Sequence, residues 1–195
     1  MFRYYIFYKP FHVLTQFSPE GEKLTLSHFL PHLPKEIYPV GRLDFDSEGL
    51  LFLTDDKAIT HKLLTPTFAH ERTYWVQMEG IVTPQAIEQL QEGVFINVNG
   101  KRYKTKPAVA KILTPEPQVP ERTIPIRYRK NIPTSWISLT LTEGKNRQVR
   151  RMTAAVGFPT LRLIRYSIGK VTIDGLQPGE YKEVGADIKL RLFTH

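Results

Sequence analysis

The sequence predicts an α+β fold with a largely antiparallel sheet, and three observations predict it. Segments of strand character outnumber helical ones and are joined by hairpin-type connections. Trp136 to Thr142 alternates strictly, with Ile137, Leu139 and Leu141 on one face, the pattern of a half-buried antiparallel strand. Asn99-Gly100 stands between Val94-Phe95-Ile96 and a basic stretch, and this dipeptide suits the two positive φ angles of a type I′ hairpin turn.

Taken in order, Tyr4-Tyr5-Ile6-Phe7-Tyr8 is aromatic and β-branched and ends at Lys9-Pro10, so it reads as a strand. Leu24 to Leu30 reads as a short helix, followed by a loop punctuated by Pro31 and Pro34. The apolar run Leu50 to Thr54 reads as a buried strand, and Asp55 or Asp56 stands ready to cap a helix through Ile59, Leu63 and Leu64. Arg72 to Met78 is the next strand. Thr83-Pro84 opens a helix, with the hydroxyl at the N-cap and proline at N1, where a missing N–H costs nothing; Gly93 stops it. Pro115, Pro117, Pro120, Pro125 and Pro133 make residues 115–133 a loop or edge excursion. Asn146 to Val156 is predicted as a helix with Asn146 as N-cap and Gly157 beyond its end. Val149, Met152 and Val156 share its apolar face, Arg147 and Arg151 lie opposite, and Arg150 lies on the flank. Leu161 to Ile168 and Val171 to Ile173 are the last clear strands. With no repeat, low-complexity tract or flexible linker, residues 1–195 are expected to form a single domain.

Composition narrows the chemistry. The 195 residues carry 27 Lys and Arg against 19 Asp and Glu, a net charge of +8, which favours acidic partners, nucleic acid first among them. With no cysteine, thiolate catalysis, disulfides and Cys-ligated metal sites are excluded. No run reaches the ~18 apolar residues of a membrane helix. Lys9 and Pro10 break the apolar start and no cleavage site follows, so a cytoplasmic protein is expected. The six histidines show no metal-ligand spacing, and no glycine-rich phosphate loop of the P-loop or Rossmann type is present.

Against this basic background, Gly41-Arg42-Leu43-Asp44-Phe45-Asp46-Ser47-Glu48-Gly49-Leu50 concentrates acid. Asp44, Asp46, Glu48 and Gly49 match the first positions of an EF-hand loop, but Asp55 stands where a bidentate Glu is needed, and Pro39 and Gly41 preclude the incoming helix. An acidic solvated turn is a second reading. The third is a catalytic loop, with one carboxylate at a strand end beside the countercharge of Arg42.

The stretch GRLDFDSEGLLFLT resembles the signature of the pseudouridine synthases of the RsuA/RluB/E/F family. The later LTEGKNRQVRRMTAAVGFPTLRLIRYSIG resembles that family's second hallmark, and YKP its opening strand. The matches follow the family's order and span nearly the whole chain. The resemblance implies the pseudouridine synthase fold: an α+β, largely antiparallel mixed sheet with flanking helices and a central RNA-binding cleft. It implies that Asp44 is the catalytic aspartate, Tyr74 the tyrosine that stacks on the target base, and Arg150 the basic residue that pairs with the aspartate. Arg42 falls on the motif arginine, Leu163 on an apolar residue of the uracil pocket, and Lys9 on the Lys-Pro of the opening strand, with a part in substrate binding. Many relatives carry an N-terminal S4 RNA-binding module; this chain starts directly at the catalytic segment. Phe45 stands where relatives often have a charged residue and His12 where many have Gly.

The implied reaction isomerises uridine to pseudouridine in large-subunit (23S) ribosomal RNA or its precursor. It is redox-neutral, so no cofactor or metal is called for, and a monomer without a protein partner is expected. The uridine must leave its stack, and an aromatic such as Tyr74 can replace the lost stacking. On its own, Tyr74 in an apolar strand also reads as a core aromatic. Lys145 and Arg147 at the positive end of a helix are unfavourable by about 0.3–1 kcal/mol each unless an anion binds there. With Arg151 they are candidate phosphate contacts, joined by Lys101, Arg102, Lys104, Lys106 and the run Arg127, Arg129, Lys130. The rival is a non-catalytic RNA-binding or ribosome assembly protein. Charge suits both; only Asp44 with Arg42, Tyr74 and Arg150 favours an enzyme.

Overall fold

The computed structural model describes residues 2–126 and 132–193. Arg127, Arg129 and Lys130 lie outside the described residues. The first half runs β1 (Tyr4–Lys9), β2 (Val13–Leu14), β3 (Leu24–Thr25), α1 (Leu26–Phe29), β4 (Tyr38–Pro39), β5 (Glu48–Thr54), α2 (Lys57–Leu64), β6 (Arg72–Glu79) and α3 (Pro84–Glu92). It continues with β7 (Phe95–Val98), β8 (Lys101–Lys104), β9 (Val109–Ile112), β10 (Thr134–Leu141), α4 (Gln148–Ala155), β11 (Thr160–Ile168), β12 (Val171–Thr172), β13 (Tyr181–Val184) and α5 (Ile188–Phe193). The result is the expected α+β fold, a mixed and mostly antiparallel sheet flanked by helices. No helix among the described residues is long and apolar enough to cross a membrane.

The chain forms two compact units: residues 1–70 with 164–195, and residues 71–163. In the first, β1 lies between β13 and β5, antiparallel to both. The other edge of β5 takes β11 in parallel, with Ile164 opposite Glu48 and Arg165 opposite Gly49. Both β1 and β5 are buried on both faces, which is why they read as continuous apolar runs rather than alternating ones. Tyr5, Phe7, Leu51 and Leu53 pack with Leu26, Leu30 and Ile37 into this unit's core. Burying a side chain of that size contributes about 1.5–3 kcal/mol. Gly49 has φ +110°, and a Cβ there would lie 2.3 Å from the Arg165 carbonyl oxygen, so only glycine permits the β5–β11 approach. α2 begins on Asp56, whose carboxylate accepts from the N–H groups of Ala58 and Ile59.

In the second unit β10 pairs antiparallel with β6 and β9. Ile137, Leu139 and Leu141 are buried together with Val76, Met78, Leu90, Val149 and Met152. α3 begins as predicted, with the Thr83 hydroxyl accepting from Ala86 N–H. Asn99 and Gly100, at φ 52° and 79°, form the hairpin turn joining β7 and β8.

Several boundaries differ from the sequence reading. The helix expected over Asn146 to Val156 runs from Gln148 to Ala155, because Arg147 adopts a left-handed φ of 51° that no helix can include. Asn146 does not cap it; its side-chain oxygen accepts from Arg151. The helix over Leu24 to Leu30 shortens to α1, its first residues being taken by the pairing of β3 with β2. β13 and α5 follow the last strand predicted; Tyr181, Lys182 and Glu183 on β13 are exposed, so burial leaves no alternation to read there.

Candidate active site

The first unit builds the acidic loop. Residues 40–47 leave β4, turn, and enter β5, and neighbouring backbone holds them on both sides of Asp44. The Thr15 hydroxyl donates to the Leu43 carbonyl at 2.8 Å and accepts from Leu43 N–H at 3.2 Å. His12 N–H donates to the Phe45 carbonyl at 2.9 Å, and Ser47 N–H to that of Asp44 at 3.0 Å. Leu43 is buried, which seats the loop on the core, while Asp44 is half-buried and Arg42 exposed. A carboxylate whose neighbours are fixed this way is preorganised without itself being sealed from solvent.

Lys9 takes a different place from the substrate contact expected of it. Its side chain is fully buried, and Nζ donates to the carbonyls of Pro10 at 2.9 Å and Val13 at 2.7 Å. It shapes the bend after β1 rather than reaching outward. Burial lowers its pKa from the ordinary 10.5 to about 7, against the pull of Glu48, Asp46 and Asp44. The two carbonyls require two N–H donors, which a neutral amine retains. Arg165, also buried, donates from Nε to the Leu50 carbonyl at 2.8 Å and fixes the start of β5 from β11.

The second unit carries the remaining predicted residues. Tyr74 shares a face of β6 with Val76 and Met78, but unlike them it is only half-buried. It therefore packs on the core as a partly buried residue. Arg150 is half-buried on α4, and Leu163 on β11 is buried in the core. Lys145 and Arg147 are exposed, with the Lys145 ammonium 4.8 Å from the Tyr103 ring centroid. Arg151 donates to the Asn97 carbonyl and, at 3.0 Å, to Asn146 Oδ1. It ties α4 to the β7–β8 hairpin and is less open to phosphate than the helical wheel implied.

Glu143 organises this region and was missed in the sequence. Its carboxylate accepts from Tyr103 O–H at 2.5 Å, Lys106 N–H at 2.8 Å and Gln148 Nε2 at 2.7 Å. Gln148 Oε1 in turn accepts from Lys145 N–H at 2.9 Å. Burial pushes the Glu143 pKa up, but these hydrogen bonds outweigh it and hold the carboxyl below its ordinary value. The signal was present, since Glu143 and Gln148 both fall inside the motif EGKNRQ, but the partners Tyr103 and Lys106 are some forty residues away. On the hairpin itself, Arg102 lies 3.8 Å and Lys104 5.4 Å from the Phe95 centroid, so cations and an exposed aromatic are interleaved.

Residues 3–155 match the family described as RNA pseudouridylate synthase, and the chain belongs to that family, within its RsuA/RluB/E/F branch. It is 49% identical over 179 residues to the ribosomal large subunit pseudouridine synthase E of Vibrio vulnificus, covering 92% of this chain and 74% of the relative. Identity to the protein of the same name from Xanthomonas axonopodis pv. citri is 49% over 172 residues and 87% of each chain. A solved structure described as the crystal structure of pseudouridylate synthase superposes with a TM-score of 0.79 at 27% identity, over 98% of this chain and 74% of that one.

Proposed function

We propose that this enzyme converts a uridine of large-subunit (23S) ribosomal RNA, or its precursor, to pseudouridine in the cytoplasm, with Asp44 as the catalytic carboxylate. The observation that carries the reading is the loop clamp: Thr15 holds Leu43 and His12 holds Phe45, so the carboxylate between them is positioned. The ribosomal substrate is supported by the names of relatives at 49% identity. The reaction breaks N1–C1′, turns the uracil and makes C5–C1′; C5 gives up a proton and N1 gains one, so no electron acceptor is needed. Asp44 supplies the nucleophile. Tyr74 stacks on the base that has left the helix, as a half-exposed ring on a rigid strand can. By the motif positions they occupy, Arg150 is a basic residue and Leu163 an apolar residue of the reaction, and Arg42, Lys145 and Arg147 meet phosphate, while Arg151 is committed to Asn97 and Asn146.

Asp44→Asn tests the assignment, because it keeps the shape and removes the charge. Pseudouridine formation, read by carbodiimide mapping of ribosomal RNA, is expected to fall by at least a thousandfold while folding and RNA affinity stay within about twofold. Turnover within tenfold of wild type overturns the role given to Asp44.

A further inference from the structure

Phe45, the residue after Asp44, belongs to a group of rings that the reaction does not use. The Phe11 and His12 centroids are 3.8 Å apart with planes at 20°, and those of His12 and Phe45 4.6 Å apart at 8°. The three rings form one continuous stack, half-buried rather than closed into the core. Lys23 Nζ, itself paired with Glu20, stands 5.8 Å from the Phe45 centroid, and exposed Arg42 is on the same loop. His12 holds φ 57°, a conformation that any β-carbon disfavours and that glycine would take freely. A loop that needed only the turn and the hydrogen bond from His12 N–H to Phe45 would be better served by glycine there. The ring stands there against that preference, and it stacks on Phe45. Strain beside a reacting group points from geometry toward function.

We propose that the Phe11–His12–Phe45 stack is a platform for an unpaired base of the RNA adjacent to the target uridine. The proposal rests on the reading of Asp44 as the reacting residue. Phe45 follows Asp44 directly, so the platform begins one residue along the chain from that carboxylate, within the span of the nucleotide joined to the target uridine. When the uridine leaves its stack, its neighbour loses a stacking partner. A half-open column of rings flanked by cations accepts the flat face of any base and the phosphate attached to it. Preference for the site then depends in part on which neighbour can unstack, not on hydrogen bonds to base edges alone.

The test is a double-substitution cycle between protein and RNA. The wild-type enzyme first acts on an in vitro 23S transcript, and carbodiimide mapping locates the modified uridine. Synthetic RNA spanning that uridine is then made with a single abasic site at each neighbouring position. One of these is expected to weaken wild-type binding about tenfold, and the same abasic site to weaken Phe45→Leu or His12→Asn by less than twofold. Asn tolerates the left-handed backbone, so His12→Asn removes the ring without disturbing the turn, and Phe45→Tyr, which keeps a ring, should behave as wild type. Additive losses, equal losses at every position, or unchanged RNA affinity in both variants overturn the platform alone. If the wild-type enzyme modifies no uridine of the transcript, the reading of 23S RNA as substrate fails and the platform proposed on it fails with it.

Discussion

At the scale of single residues, Lys9 shows how burial reshapes a charge. A folded-state value near 7 against 10.5 means the native chain favours the neutral amine. Between those values the unfolded chain binds a proton that the folded chain lacks, so this residue's contribution to stability rises with pH across that window. Lys9→Met removes the titration along with the bonds to Pro10 and Val13. Urea unfolding at pH 6.5 and pH 9 should therefore show the gap between wild type and variant widening in favour of wild type at the higher pH. A gap independent of pH contradicts the shift. The lysine was legible in the sequence as the end of a strand; that its ammonium turns inward was not, because the carbonyls it meets belong to a bend that only the fold creates.

At the scale of elements, local chemistry and long-range chemistry separate cleanly. Thr83 before Pro84, Asp56 before Lys57, and Asn99-Gly100 are instructions a few residues long, and each element begins or turns where they stand. α4 is different: its start is set by the left-handed Arg147 and by the Glu143 network, whose hydrogen bonds come from β8 and the segment after it. Glu143→Ala takes their shared acceptor from the buried Gln148 amide, the half-buried Tyr103 O–H and the Lys106 N–H, at a cost of about 2–3 kcal/mol. Tyr103→Phe should cost about 1 kcal/mol, since one hydrogen bond is lost and the carboxylate keeps two. Denaturant unfolding measures both, and equal stabilities for the two variants would contradict the network's role. The same reasoning gives a sign for acid: a carboxyl held below its unfolded value contributes stability above that value and loses it as pH falls through the folded one.

For the whole molecule the charge of +8 dominates encounter with RNA, and affinity should fall steeply with salt. Arg147, exposed at the N-terminal end of α4, is expected to contribute one phosphate contact. Arg147→Ala should then lower the slope of log affinity against log salt by roughly one unit, and an unchanged slope assigns that arginine to solvent. The antiparallel pairs of the sheet were legible because alternation and turn residues are local signals. The parallel pairing of β5 with β11 was not, since its register is set by Gly49 meeting a backbone more than a hundred residues away. The aspartate loop could be placed before a buried strand from its residues alone; the Thr15 clamp that fixes it could not, because a threonine in a loop gives no sign of the carbonyl it will reach.

The division of the chain has a consequence for how it is made. Residues 71–163 are continuous, so their unit can close as soon as that stretch has left the ribosome. The other unit is assembled from two separate stretches, and β1 pairs along one edge with β13, Tyr4 opposite Val184. Throughout elongation β1 and β5 can form a hairpin-like pair while the remaining edge of β1 stays open. From the synthesis of β1 until that of β13, the nascent protein thus carries an unfinished sheet. The aspartate loop stands on a scaffold that is completed only when β13 arrives.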